Sequence, residues 1–180
     1  METHELVPHP SSLPQRVRRV AARITGIDAH WITLRWRVEG TEALRLPPFA
    51  ARGRADGLWQ TTCFELFASV VGTQAYAEFN FSPSQRWAAY DFAAYREGMA
   101  PRHVPRDPVC TPRVGQSVLI FDVALPLAAL PARPLDYGLC AVIEEEGGRK
   151  SYWAIAHRDE KPDFHHPSCF AARLEAPQAP

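Results

Sequence analysis

Several familiar signatures are missing from this chain, and each absence excludes a class of function. Its charges cancel, with 20 Lys+Arg against 20 Asp+Glu, so no overall field draws it to nucleic acid or to an anionic membrane. No stretch approaches the roughly 20 apolar residues that a spanning helix needs. The opening, Met1 to Pro14, has no basic start followed by an apolar run. No signal peptide is therefore expected, and the expected compartment is the cytoplasm. The four cysteines, Cys63, Cys110, Cys140 and Cys169, are widely spaced and form no CxxC pair. That excludes zinc-knuckle and thioredoxin patterns, and in the cytoplasm these thiols stay reduced. Glycine-rich phosphate loops are absent, which argues against nucleotide hydrolysis. After the initiator, Met99 is the only methionine.

What the chain does have is punctuation. Its 17 prolines are scattered through 180 residues, a density that suits short strands and turns better than long helices. Residues 31–38 alternate, with Ile32, Leu34, Trp36 and Val38 against Trp31, Thr33, Arg35 and Arg37, the period of a half-buried strand. Weaker or shorter runs follow the same rule at 17–24, 44–46, 117–124, 137–144, 151–156 and 170–174. Between them, 61–71, 76–81 and 87–92 are joined by short turns and read as a meander. In the middle strand Tyr76, Glu78 and Asn80 face one side, while Ala77, Phe79 and Phe81 face the other. Residues 96–108, with three prolines, read as an irregular connection. About ten strands at this rhythm predict an all-β fold, an antiparallel two-sheet β-sandwich. One domain spanning 1–180 is expected, with 1–14 and 175–180 loosely ordered.

Chemistry concentrates between Leu58 and Met99. Glu65 on one strand and Tyr76, Glu78 and Asn80 on the next can share a sheet face. Carboxylates and an amide beside aromatic rings match what a sugar presents, paired hydroxyls on its edge and C–H groups on its faces. The same carboxylates can equally be solvated outer-face residues. A glycosidase would also use two carboxylates, but nothing in the sequence fixes their separation. His157, His165, His166 and Cys169 lack a tight metal-ligand spacing, so no metal is expected. Cys63 has no histidine placed near it by a nucleophile signature, and no catalytic residue is assigned.

The motifs Leu58-Trp59, Thr62-Cys63-Phe64-Glu65, Tyr76, Glu78-Phe79-Asn80, Ser82-Pro83-Ser84, Trp87-Ala88-Ala89-Tyr90 and Tyr95 to Met99 resemble those of bacterial DOMON-like proteins, relatives of family 9 carbohydrate-binding modules. Pro8-His9-Pro10, Tyr152-Trp153-Ala154, His157 and Lys161 to His165 extend the resemblance to nearly the full length. It implies an antiparallel sandwich that binds a small ligand without catalysis, either a sugar or a haem. On the sugar reading, which includes nucleotide-sugars, Glu65, Glu78 and Asn80 bond hydroxyls, while Trp59, Trp87 and Tyr90 stack. Tyr76 shares their face, and Arg96 holds a carboxylate or phosphate if the ligand carries one. On the haem reading, Met99 and His165 are the iron ligands. A structural or protein-interaction role is the third reading, in which these side chains satisfy one another.

Overall fold

The computed structural model describes residues 2–158 and 160–176; the expectation of loose order at the C-terminus falls mostly outside them. Fourteen strands run through the described residues. In chain order they are β1 (Thr3–Pro8), β2 (Arg19–Ile27), β3 (Trp31–Glu39), β4 (Leu44–Arg45), β5 (Gly53–Arg54), β6 (Cys63–Val70) and β7 (Tyr76–Phe81). There follow β8 (Arg86–Phe92), β9 (Ala100–Pro101), β10 (Val109–Val114), β11 (Val118–Pro126), β12 (Leu135–Glu145), β13 (Arg149–Ala154) and β14 (Ala172–Leu174). The helical elements among the described residues are single 3-10 turns of three residues, such as Leu58–Gln60.

The expectation of two separate sheets is corrected by the pairing of β1. Thr3 to Leu6 pair with β2, whereas Val7 and Pro8 pair with β13. One strand thus passes from the first layer to the second, and hydrogen bonding runs continuously through β10-β11-β3-β2-β1-β13-β12-β6-β7-β8-β5. Thr3–Pro8, within the stretch expected to be loose, form this strand. A second tie holds the segment that follows β1. Glu145, fully buried, accepts backbone N–H bonds from Gln15, Arg16 and Val17 at 2.6, 2.6 and 3.0 Å.

The curled sheet closes over one apolar core. Ile32, Leu34, Trp36 and Val38 of β3 all point into it, as the alternation requires, together with Leu119, Phe121, Val123 and Leu125 of β11. From the second layer Phe64 stacks on Phe121 at 4.6 Å and meets Trp36 at 5.5 Å between ring centroids. Each such buried ring contributes about 1.5–3 kcal/mol through the apolar surface it withdraws from water.

The second layer departs from simple alternation. Every residue of β7 is buried, and so is all of β6 except Val70. Their inner faces meet the core. Their outer faces are covered by a second apolar cluster, where Phe164, Cys169 and Phe170 of the C-terminal loop lie over Phe67, Tyr76 and Cys140. That loop comes close to the sheet because position 138 has no side chain: a Cβ on Gly138 would stand 2.6 Å from the Cys169 carbonyl oxygen.

Candidate functional site

The covered outer face of β6, β7, β8, β12 and β13 is not sealed throughout. Between it and the loops above lies a cavity of about 350 Å3. Strand parity determines its floor. Glu65 and Phe67 of β6, Glu78 of β7, Tyr90 and Phe92 of β8, Val142 of β12 and Tyr152 of β13 all emerge on the same side. Three loops supply the rim: Trp59 from the 3-10 turn, Arg96 and Met99 from the segment after β8, and Pro162, Phe164 and His165 from the C-terminal loop.

Two carboxyl groups stand on this floor. The register pairs Glu65 with Asn80 and Glu78 with Phe67 and Tyr90, so the two glutamates are diagonal neighbours on adjacent strands. Burial, reinforced by Glu78, holds the Glu65 carboxyl well above the usual carboxylate range. Burial likewise raises Glu78, to about 7, although the Asn80 amide and the Arg96 charge pull the other way. Asn80 Nδ2 donates to Glu78 Oε1 at 2.7 Å. Glu65 is only 3% exposed, and its carboxyl makes no hydrogen bond or ion pair with any described residue.

The remaining polar groups are bound to one another. The Arg96 backbone N–H donates to Tyr76 Oη at 3.2 Å, and that hydroxyl is hydrogen-bonded to His165 Nδ1 at 2.8 Å. His165 Nε2 faces Glu78 Oε2 at 3.7 Å. Burial, with the nearby Arg96 charge, lowers the His165 pKa to about 4, so the ring is neutral. Arg96 adopts a left-handed backbone conformation, φ 56°, and its guanidinium donates to Asp163 at 2.7 Å. Tyr95 also donates to Asp163. Tyr90 donates to Asp56 at 2.5 Å, under the Arg54 guanidinium.

Of the residues singled out from sequence, Trp59, Glu65, Glu78, Tyr90 and Arg96 line the cavity, as do Met99 and His165. Tyr76 and Asn80 lie one step behind it, each gripping a residue that does. Trp87 is a correction. It pairs with Phe81, points into the main core and is 6% exposed. Trp87 and Tyr90 are three residues apart on one strand, so they emerge on opposite faces. Phe67, Phe92, Val142, Tyr152 and Phe164 were not anticipated as lining residues. The parity of Glu65 points to Phe67, and that of Tyr90 to Phe92, but Val142 and Tyr152 require the pairing of β12 with its neighbours. His157 and His166, considered as metal ligands, are occupied instead with the Val7 carbonyl and with Ser168.

Comparison with known proteins finds no matching family model and no matching curated protein. Solved structures do match. A candidate carbohydrate-binding protein from Bacteroides uniformis superposes with a TM-score of 0.67 at 18% identity, over 93% of this chain and 83% of that one. A family 9 carbohydrate-binding module from Caldicellulosiruptor kristjanssonii, solved with cellotriose, gives 0.52 at 10% identity, over 86% and 72%. This chain shares its fold with carbohydrate-binding modules. At these identities the likeness extends to the fold alone, and the chemistry must be argued from the cavity itself.

Proposed function

We propose that this chain is a non-catalytic module that binds a small carbohydrate in the cavity above β6, β7 and β8. The observation that carries this reading is the pairing of the Glu65 and Glu78 carboxyl groups with the rings of Trp59, Tyr90 and Tyr152 around one cavity. Carboxyl groups meet hydroxyls, and the ring faces meet sugar C–H surfaces. The shared fold agrees with it.

Three competing readings fare less well. A structural role would have the polar groups satisfy one another, yet among the described residues the Glu65 carboxyl finds no hydrogen-bond partner and Asn80 Oδ1 is buried without one. Hydrolysis needs two carboxyl groups flanking the scissile bond, whereas Glu65 and Glu78 rise from the same wall. Haem iron would have to reach His165 Nε2, the ring nitrogen not bonded to Tyr76, in competition with Glu78 Oε2 at 3.7 Å from it. A nucleotide-sugar would bring phosphate to Arg96, but Asp163 already takes that guanidinium and the floor is acidic, so the reading narrows to sugars without phosphate.

Trp59, at 42% exposure on the rim, reports directly on occupancy. Titration with glucose, galactose, N-acetylglucosamine and cellotriose should change tryptophan emission saturably for at least one sugar, and Trp59→Ala should remove that change. A flat response to every sugar would refute the proposal.

A further inference from the structure

The floor of the cavity holds two adjacent carboxyl groups, more than a neutral sugar needs. Glu65 and Glu78 stand side by side, and Glu65 has no cation or donor among the described residues. Arg96 is the cation of the lining, and its guanidinium is turned to Asp163. His165 is neutral, with its Nδ1 bonded to Tyr76. Apart from Arg96, whose charge reaches Glu78, the groups facing the pair offer no counter-charge: Cys63 on β6, Cys140 on β12 and Tyr90 on β8 are all held in their neutral forms by burial, the two thiols also by Glu65. Around this acidic floor stand aromatic rings, Phe67, Tyr90, Phe92 and Tyr152 among them, and ring faces attract cations.

Resting on the carbohydrate reading, we propose that the sugar this cavity selects is an amino sugar, its protonated amine seated between Glu65 and Glu78. An ammonium offers three donors and one positive charge. It can bond both carboxylates at once and relieve the repulsion between them. A hydroxyl has a single donor and no charge, so it cannot donate to two carboxylates at once. The raised Glu78 pKa agrees with this arrangement, since near neutral pH the empty pair retains at least one proton. Arrival of the ammonium displaces that proton to solvent, so the charge change inside the cavity is small. Acetylation of the amine removes both the charge and two of its donors, and N-acetylated sugars should therefore lose the advantage.

The test is calorimetric titration of the full chain near neutral pH with glucosamine, glucose and N-acetylglucosamine. It is run in two buffers that differ in ionisation enthalpy, so that proton release is read from the heat. Glucosamine should bind about tenfold or more tighter than glucose, with protons released only on glucosamine binding. Glu65→Gln and Glu78→Gln, near-isosteric and confirmed as folded by thermal melts, should shrink that ratio toward one. If glucose binds as tightly as glucosamine with no difference in proton release, the amine inference fails and the carbohydrate reading stands. If no sugar binds but benzylammonium does, the carbohydrate reading fails and the amino-sugar inference with it. Silence from all four probes overturns both.

Discussion

The Tyr76 hydroxyl is hydrogen-bonded to His165 Nδ1 across 2.8 Å, and this one bond connects the sheet beneath the cavity to the loop above it. Tyr76 belongs to β7; His165 belongs to the C-terminal loop that covers it. Replacing the phenol with Phe should cost about 1 kcal/mol in urea unfolding, the net value of one buried hydrogen bond. It should also release the loop, so amide exchange at residues 163–166 should quicken while that in β3 and β11 stays protected. Unchanged exchange in the loop would mean that it is held by its apolar contacts alone.

Trp59 and Trp87 should respond in opposite ways. Trp87 is packed against the main core, and Trp87→Ala should destabilise the fold by about 3–5 kcal/mol. Trp59→Ala removes a rim residue and should leave the urea midpoint nearly unchanged, while sugar affinity falls about tenfold or more. Unfolding curves and a binding titration on the two variants separate these roles.

Gly138 sets how closely the loop approaches. In Gly138→Ala the new methyl group would stand 2.6 Å from the Cys169 carbonyl oxygen, and backbone cannot yield as a side-chain tip can. The expected cost is about 1–3 kcal/mol, together with weaker sugar binding because Phe164 and His165 move off the cavity. Full sugar affinity in this variant would show that the loop does not shape the site.

The fold was legible in sequence where one face of a strand is wet. β3 and β11 alternate because their outer faces meet solvent, and the β6–β8 meander declares itself through its short turns. β10 escaped notice because it is a weakly buried edge strand carrying Pro112, and proline demotes such a run. β1 escaped because it changes partners halfway along, so neither half shows a long pattern. The site was legible in part. Period 2 placed Glu65 and Glu78 on one face. It gave no sign of the loop above the cavity, because residues 160–171 have no periodicity and their apolar contacts reach residues far away in sequence, such as Phe67 and Tyr76. The misplacement of Trp87 was avoidable in principle, since strand parity already separates it from Tyr90.

Stability should depend on pH through three groups in the site. Glu65 and Glu78 have folded pKa values above the ordinary 4.5, so the stability they contribute is present below about pH 4.5 and is lost as pH rises. For Glu78 the loss is complete above about 7. His165 runs the other way: its folded pKa is lowered from 6.5 to about 4, so its contribution is lost as pH falls through that window. Between pH 4.5 and 6.5 two falling contributions meet one rising one. Glu78 adds a falling contribution worth up to about 1.4 kcal/mol per pH unit, the value of one proton. Glu78→Gln should therefore lose less stability than the wild type as pH rises across that window. Urea unfolding at intervals across it compares the two slopes, and equal slopes would contradict the assignment to Glu78.

The most direct test of the account is the structure of the chain crystallised with a sugar that binds in the tryptophan titration. The account expects one sugar in the cavity, a ring face against Trp59 or Tyr90 and polar groups within hydrogen-bonding distance of Glu65 and Glu78. A sugar bound elsewhere on the surface, with this cavity holding only solvent, would contradict it.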